Sequence, residues 1–319
     1  MTPEQRVLAY IRDYVLAWAG QNEDADDLLS TWRSALEQLE RQHFAHDAHH
    51  ERPVSFSSPC PHDADREEIV DTQIQPDSAR VVSTMGRYSF FEWHLQPSDD
   101  SWRIVRLRSH LDHPDDFVVR DKALARLDEV LDLPLREPDE PPSPWLFALE
   151  VETSAPQTVE PMGRLQLPSG IILVQDFGYG DYAFLPLAHR VHPGAYPVEI
   201  SRIGQTNAGV RVCFQSPDTV VEWRAAHALG GDWVTGVDAG NVAIADASAY
   251  SRLTVGKKAD VYDAAVVHAS RPAASLVSLS TDDDGFICDS GYGDGGYPRY
   301  WGVDATGTPA VLLIDFRVK

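Results

Sequence analysis

Cysteine is scarce: Cys60, Cys213 and Cys288 stand far apart in 319 residues and form no paired-ligand spacing. That argues against both a disulfide framework and a cysteine-rich zinc module. An odd count with no leader ahead of it predicts reduced thiols and a cytoplasmic protein. The opening MTPEQRVLAY lacks the basic-then-apolar order of a secretory signal. Long apolar runs are missing, so no membrane-spanning helix is expected. Positive charge is short as well: 27 Lys and Arg face 49 Asp and Glu, a formal charge of -22 spread along the chain. Nucleic-acid binding would need a basic footprint, and none is visible. Nor is there a G-x-S-x-G elbow, an H-E-x-x-H helix or a P-loop, which weakens the case for an enzyme.

What is present points to a folded chain. Hydrophobic residues make up 43% and there are eight tryptophans, enough for two domains with substantial cores. Residues 2–18 read as an amphipathic helix, with Thr2, Pro3 and Gln5 as its capping box and Leu8, Ile11, Val15 and Trp18 on one face. A second helix starting near Asp24 or Asp26 turns Leu28, Leu29, Trp32, Leu36 and Leu39 inward. Strands follow at 54–56, 68–74, 79–84, 88–95 and 102–108, with a hairpin turn at 99–101. Two helices and a strand meander predict an α+β domain over 1–133, helices on one face of a curved antiparallel sheet, with helical character returning at 120–131. Residues 134–144 hold five prolines and three acidic residues and read as a linker. From Trp145 to 319 a β-rich, sandwich-like domain is expected, with turns at 168–170, 177–181, 193–194 and 230–231. Its strands are placed at 171–175, 196–200, 210–215, 241–245, 274–280 and 310–316, and one short helix at 219–229.

Glycines, aromatics and aspartates crowd the stretch DSGYGDGGYPRYWGVDATGTPAVLLIDF, residues 289–316. Gly291, Gly293, Gly295 and Gly296 predict a tight loop that sets Tyr297, Tyr300 and Trp301 against the domain. Asp238, Asp246, Asp294, Tyr297, Trp301 and Asp304 are the ligand-binding candidates, should the aspartates converge. Aspartates beside glycines also serve turns by local hydrogen bonds. The formal G-x-G-x-x-G of Gly291, Gly293 and Gly296 is followed by Tyr-Pro-Arg-Tyr-Trp, which does not open the helix a dinucleotide needs, so no cofactor is assigned. His43, His46, His49 and His50, with Cys60 and His62 downstream, show no clean zinc spacing, and no metal site is assigned. Asp282-Asp283-Asp284-Gly285 lacks the alternating ligands of a calcium loop.

Several strings carry a resemblance: GRLQLPSG (163–170), HPGAYPVEI (192–200), VVEWRAA (220–226), GVDAGNVAIAD (236–246) and the glycine-rich stretch. Together they resemble the bacterial DUF4241 family of unknown function, over about 145–319. Gln175-Asp176-Phe177 departs from the family's aspartate–proline pair. The first domain, through RVVST (80–84), YSFFEWHL (88–95) and WRIVRL (102–107), resembles the nuclear-transport-factor-2-like cone of bacterial immunity proteins. That resemblance implies a non-catalytic immunity protein neutralising a protein partner, and the acidic charge would suit a basic toxin domain. A solvated acidic surface without a partner fits the composition as well. The competing expectation is an enzyme or a small-ligand binder at the glycine–aspartate loop.

Overall fold

The structure, a computed structural model, describes residues 1–21, 27–46, 48, 59–99, 101–129, 134–144, 146–147, 155–178, 184–270 and 272–318. The chain is α+β, with three antiparallel sheets and few helices, and it divides into two compact units, Met1–Asp116 and Phe117–Lys319. No helix among the described residues is long and apolar enough to cross a membrane.

In the first unit α1 (Pro3–Ala19) begins with the capping box: the Gln5 N–H donates to Thr2 Oγ1 and the Thr2 N–H to Gln5 Oε1. These bonds satisfy two donors that a helix start leaves open. Its buried stripe is Val7, Tyr10, Ile11 and Tyr14. The sequence expectation placed Leu8 and Val15 inward, yet Leu8 is exposed. The two tyrosines, not counted as core, shift the stripe by about one position. Helix α2 (Leu28–His43) follows Asp27 and buries Trp32, Leu36 and Leu39, while Leu29 faces outward; the expected start at Asp24 or Asp26 lies outside the described residues. A meander of β1 (Glu68–Ile74), β2 (Ala79–Thr84), β3 (Phe90–Ser98) and β4 (Ser101–His110) forms one sheet in sequence order. Alternation puts Val81, Trp93, Leu95 and Ile104 on the face that shares a core with the helices. The strand expected at 54–56 lies outside the described residues.

The boundary between units falls ahead of the proline-rich stretch. Described residues of 134–144 join the second unit: Ala225 N–H donates to the Arg136 carbonyl at 2.9 Å, and the buried Ser143 N–H donates to Asp315 Oδ2 at 2.8 Å. Trp145, where the second domain was expected to begin, lies outside the described residues. Residues 120–131 contain α3 (Asp121–Leu124) and a 3-10 turn, Ala125–Glu129.

The second unit holds β5 (Gln157–Leu167), β6 (Ile172–Gln175), β7 (Gly194–Ile203), β8 (Thr206–Cys213), β9 (Glu222–Ala225), β10 (Val234–Val237) and β11 (Asn241–Asp246). After α4 (Ala247–Ser251) and α5 (Val255–Tyr262) come β12 (Ala274–Ser278), β13 (Asp284–Asp289), β14 (Gly295–Val303) and β15 (Pro309–Asp315). One sheet runs β10-β14-β15-β8-β7-β5, with β9 also paired to β14, and the other runs β12-β13-β11-β6. Leu165, Val198, Val212, Leu312 and Trp301 of the larger sheet share a core with Val174, Ile244 and Phe286 of the smaller. Leu173, Ala245 and Ile287, on the smaller sheet's other face, pack with Tyr250 and Val261 of the helices.

The helix expected at 219–229 is not there. Glu222–Ala225 is instead a strand on β14. Val220 and Trp223 close over Gly302, where a methyl group would stand 2.9 Å from Val220, and this fit outweighs local helix preference.

Gly170 shows how tightly the β5–β6 turn is drawn. Its φ is +69, and a methyl group there would stand 2.0 Å from the Val191 carbonyl oxygen. Gly307 has φ +83 with nothing within 4 Å. Gly170→Ala should therefore cost more than about 3 kcal/mol and Gly307→Ala about 1–2 kcal/mol, read from urea midpoints.

Candidate functional site

The glycine-rich stretch forms a corner between β13 and β14. Gly293 N–H donates to the Ser290 carbonyl at 3.0 Å, and Tyr297 Oη donates to the Gly293 carbonyl at 2.7 Å. Gly291, at φ +60, lets Phe316 approach so closely that a methyl group would stand 2.8 Å from its Cβ. Tyr297 and Trp301 point into the core between the sheets, and Trp301 is wholly buried. Glycine is thus required at Gly291 by contact, whereas Gly295 opens β14 with only the Tyr297 ring, 3.6 Å away, near a methyl position.

The aspartates hold turns. Asp246 is fully buried at the start of α4 and accepts from Ser169 N–H at 2.8 Å, Ser248 N–H at 3.0 Å, and both serine hydroxyls. Asp304 accepts from the Thr306 and Thr308 N–H groups at 2.8 and 3.0 Å, and these bonds with the Thr306 hydroxyl bring its pKa down to about 2. Asp238 and Asp294 are exposed. Their two turns adjoin, since Ser290 N–H donates to the Gly240 carbonyl at 3.1 Å. Asp176, in the departing Gln-Asp-Phe string, is buried and accepts from the N–H groups of Gly178, Asp238 and Ala239 at 2.6–2.7 Å. Asp238 and Asp294 therefore neighbour one another, while Asp246 and Asp304 serve separate turns. Among the described residues no three His, Cys, Asp or Glu gather as a metal site would need.

A different set of groups converges inside the first unit. His62 Nδ1 lies 2.8 Å from Glu67 Oε2, Ser83 Oγ donates to Glu67 Oε1 at 2.5 Å, and Trp93 Nε1 donates to Ser83 Oγ at 2.9 Å. All four residues are buried, and the Tyr10, Tyr14, Phe91 and Trp93 rings enclose His62. Burial pushes both tyrosine hydroxyls well above their ordinary pKa. The carboxylate sits in the middle and holds the serine proton. In a nucleophilic triad the imidazole takes that proton, so Ser83 is not an activated nucleophile. Glu67 instead fixes the ring of His62, as second partners fix functional imidazoles. Glu67 and Ser83 were missed by sequence reading; the signal was Ser83, polar on the inward face of β2 shared with Val81.

His43 is spent elsewhere, between Asp13 (Nε2 to Oδ2, 3.0 Å) and Arg6 (3.4 Å). Burial lowers its pKa against the pull of Asp13. His49 and His50 lie outside the described residues. On the sheet's other face, buried Glu92 receives Arg80 at 2.6 Å and His110 at 3.1 Å. Burial raises its pKa, but the hydrogen bonds from His110, His94 and Arg80 together outweigh burial and hold it well below the ordinary value.

The profile of DUF4241, a family of proteins of unknown function, matches residues 165–314, from the end of β5 to the penultimate residue of β15. No curated protein and no solved structure matches the chain.

Two consequences are measurable. Asp246→Asn turns an amide toward donors and should cost about 2–4 kcal/mol, whereas Asp294→Asn should stay within about 0.5 kcal/mol of wild type, both by urea denaturation. Glu92, held below its ordinary 4.5, stabilises the first unit above that pH and loses this effect as pH falls. The gap in urea midpoint between wild type and Glu92→Gln should therefore narrow from about pH 7 toward about pH 3.

Proposed function

We propose that this is a cytosolic binding protein of the immunity type that neutralises a basic protein partner such as a toxin domain, and that its first unit is a nuclear-transport-factor-2-like cone. The observation that carries this reading is how the acidic residues divide. Asp176, Asp246 and Asp315 are buried and committed to backbone donors. Much of the remaining acid stands in water, leaving a surface suited to a basic partner. The excess is shared evenly: 11 basic against 22 acidic residues in Met1–Asp116, and 16 against 27 in Phe117–Lys319, or -11 in each. Two helices over a four-stranded meander support the cone reading.

A second reading has its own support. His62, fixed by Glu67 and caged by aromatic rings, has the chemistry to hold a small polar molecule or move a proton inside the first unit. The glycine–aspartate loop supports an enzyme less, because Asp246 and Asp304 are occupied with their own turns.

Co-expression with a toxin domain encoded beside this gene should rescue growth. In surface plasmon resonance, association with that toxin should slow by about tenfold or more between roughly 50 and 500 mM salt, with dissociation little changed. Association indifferent to salt would remove charge as the basis of recognition. Rescue lost in His62→Gln, with toxin affinity intact, would favour the second reading.

A further inference from the structure

The sheet of the first unit ends on β1, whose far edge is open. Gln75 N–H donates to the Ser78 carbonyl across the β1–β2 turn at 2.8 Å. Main-chain direction alternates along a strand, so Gln73 and Asp71, opposite Arg80 and Val82, also turn toward β2. Thr72 and Ile74 turn their N–H and C=O groups the other way. Among the described residues nothing pairs with these groups. Ile74 is 57% exposed and Val70 47%. The bulge between Ile69 and Asp71 lies upstream, so the last four residues of β1 keep a regular register.

An unpaired ladder with apolar side chains invites a further strand, and proteins blunt such edges. Other edges in this chain are blunted. Ala45 N–H donates to the Ile104 carbonyl of β4 and Leu187 N–H to the Ile172 carbonyl of β6, both at 2.8 Å, and β5 carries Pro161 beside a bulge. Strand β1, EIVDTQI, holds neither proline nor lysine. Its protection is negative charge: residues 63–80 hold six acidic residues against two arginines. Glu68 and Asp77 stand exposed at the two ends of the strand, with Asp71 between them. Arg80 is already committed, to Glu92 at 2.6 Å and to Asp115 at 2.9 Å.

Such an edge repels a second copy of this chain, whose first unit carries the same -11, and attracts a basic segment. We propose that β1 is where the basic partner docks, by adding an extended strand bearing Lys or Arg antiparallel to residues 71–74. Main-chain bonds to Thr72 and Ile74 supply the pairing, and alternate side chains supply the selectivity. Residues directly opposite one another share a face. Apolar side chains of the added strand therefore meet Ile74 on the side of the sheet that faces the helices, and basic ones between them meet Glu68 and Asp71 on the other. The inference rests on the reading of this chain as a binder of a basic protein, and adds the surface that does it.

The probe is a peptide of alternating lysine and valine, offered to the full chain, with affinity read by fluorescence anisotropy and contacts by amide shifts in NMR. Saturable binding is expected, with the largest shifts at Thr72 and Ile74. A glutamate–valine counterpart should bind at least about tenfold weaker. N-methylation of the valines, whose N–H groups would face β1, should weaken binding by about tenfold or more. Ile74→Pro deletes one outward N–H and no bond to β2, so it should cost about tenfold in affinity with the urea midpoint little changed. If Ile74→Pro does not fold, the N-methylated peptide and the shift map still decide. No saturable binding, shifts scattered away from β1, or equal binding by the N-methylated peptide would each overturn the proposal. So would a wild-type dimer in analytical ultracentrifugation that Ile74→Pro makes monomeric, since the edge would then belong to a second copy. Toxin bound equally by wild type and Ile74→Pro removes this docking edge and leaves the immunity reading. Peptide pairing at β1 without any toxin affinity removes that reading and leaves the edge as a site for basic strands.

Discussion

The second unit depends on β15, a strand in which all seven residues, Pro309–Asp315, are buried. A strand hidden on both faces needs cover on both, and the rest of the unit supplies it. Leu312 and Ile314 meet the smaller sheet, while Val311 and Leu313 pack with Tyr300 under Leu146, Phe147, Trp223 and Trp233. Ala310 to Ile314 are uniformly apolar, as expected of a strand with no wet face. Asp315 ends the run with a buried carboxylate that accepts the N–H groups of Ser143 and Arg317. A proline-rich segment that looks like a spacer is thereby pinned to the core.

Carboxylates used as internal fasteners recur. Asp176 gathers three N–H groups where β6 ends, Asp246 joins the β5–β6 turn to α4, and Asp283 takes Arg252 and Ser280. Each fixes a loop that has few neighbours to pack against, and hydrogen bonds to a charged acceptor are stronger than neutral ones. An acidic sequence is in part the record of this way of building turns. The first unit uses the same device inside its core, where Glu67 ties a loop histidine to the sheet through Ser83.

Local signals were legible where local physics decides. The Thr2–Gln5 box, the strands at 68–74 and 79–84, and the apolar run of β15 could all be read because capping and alternation act over a few residues. The outcome at 219–229 was not legible: Trp223 chooses its conformation by finding Gly302, far along the chain. The same holds for His62, Glu67 and Ser83, which are brought together by a loop and two strands with no motif spacing to announce it. The burial of Arg299 was hidden in a string of aromatics, and nothing in YPRYW says that the arginine faces inward.

The order of strands in the larger sheet carries a consequence for assembly. β15 follows every other strand of that sheet in the chain, yet it lies between β14 and β8. Until it emerges from the ribosome, the sheet is two fragments, β8-β7-β5 and β10-β14-β9, each with an open edge where β15 will sit. Pairings this distant in sequence form slowly, and unpaired edges are where chains associate wrongly. Nascent copies of this protein carry a temporarily sticky seam, closed in a single late event by the insertion of one strand.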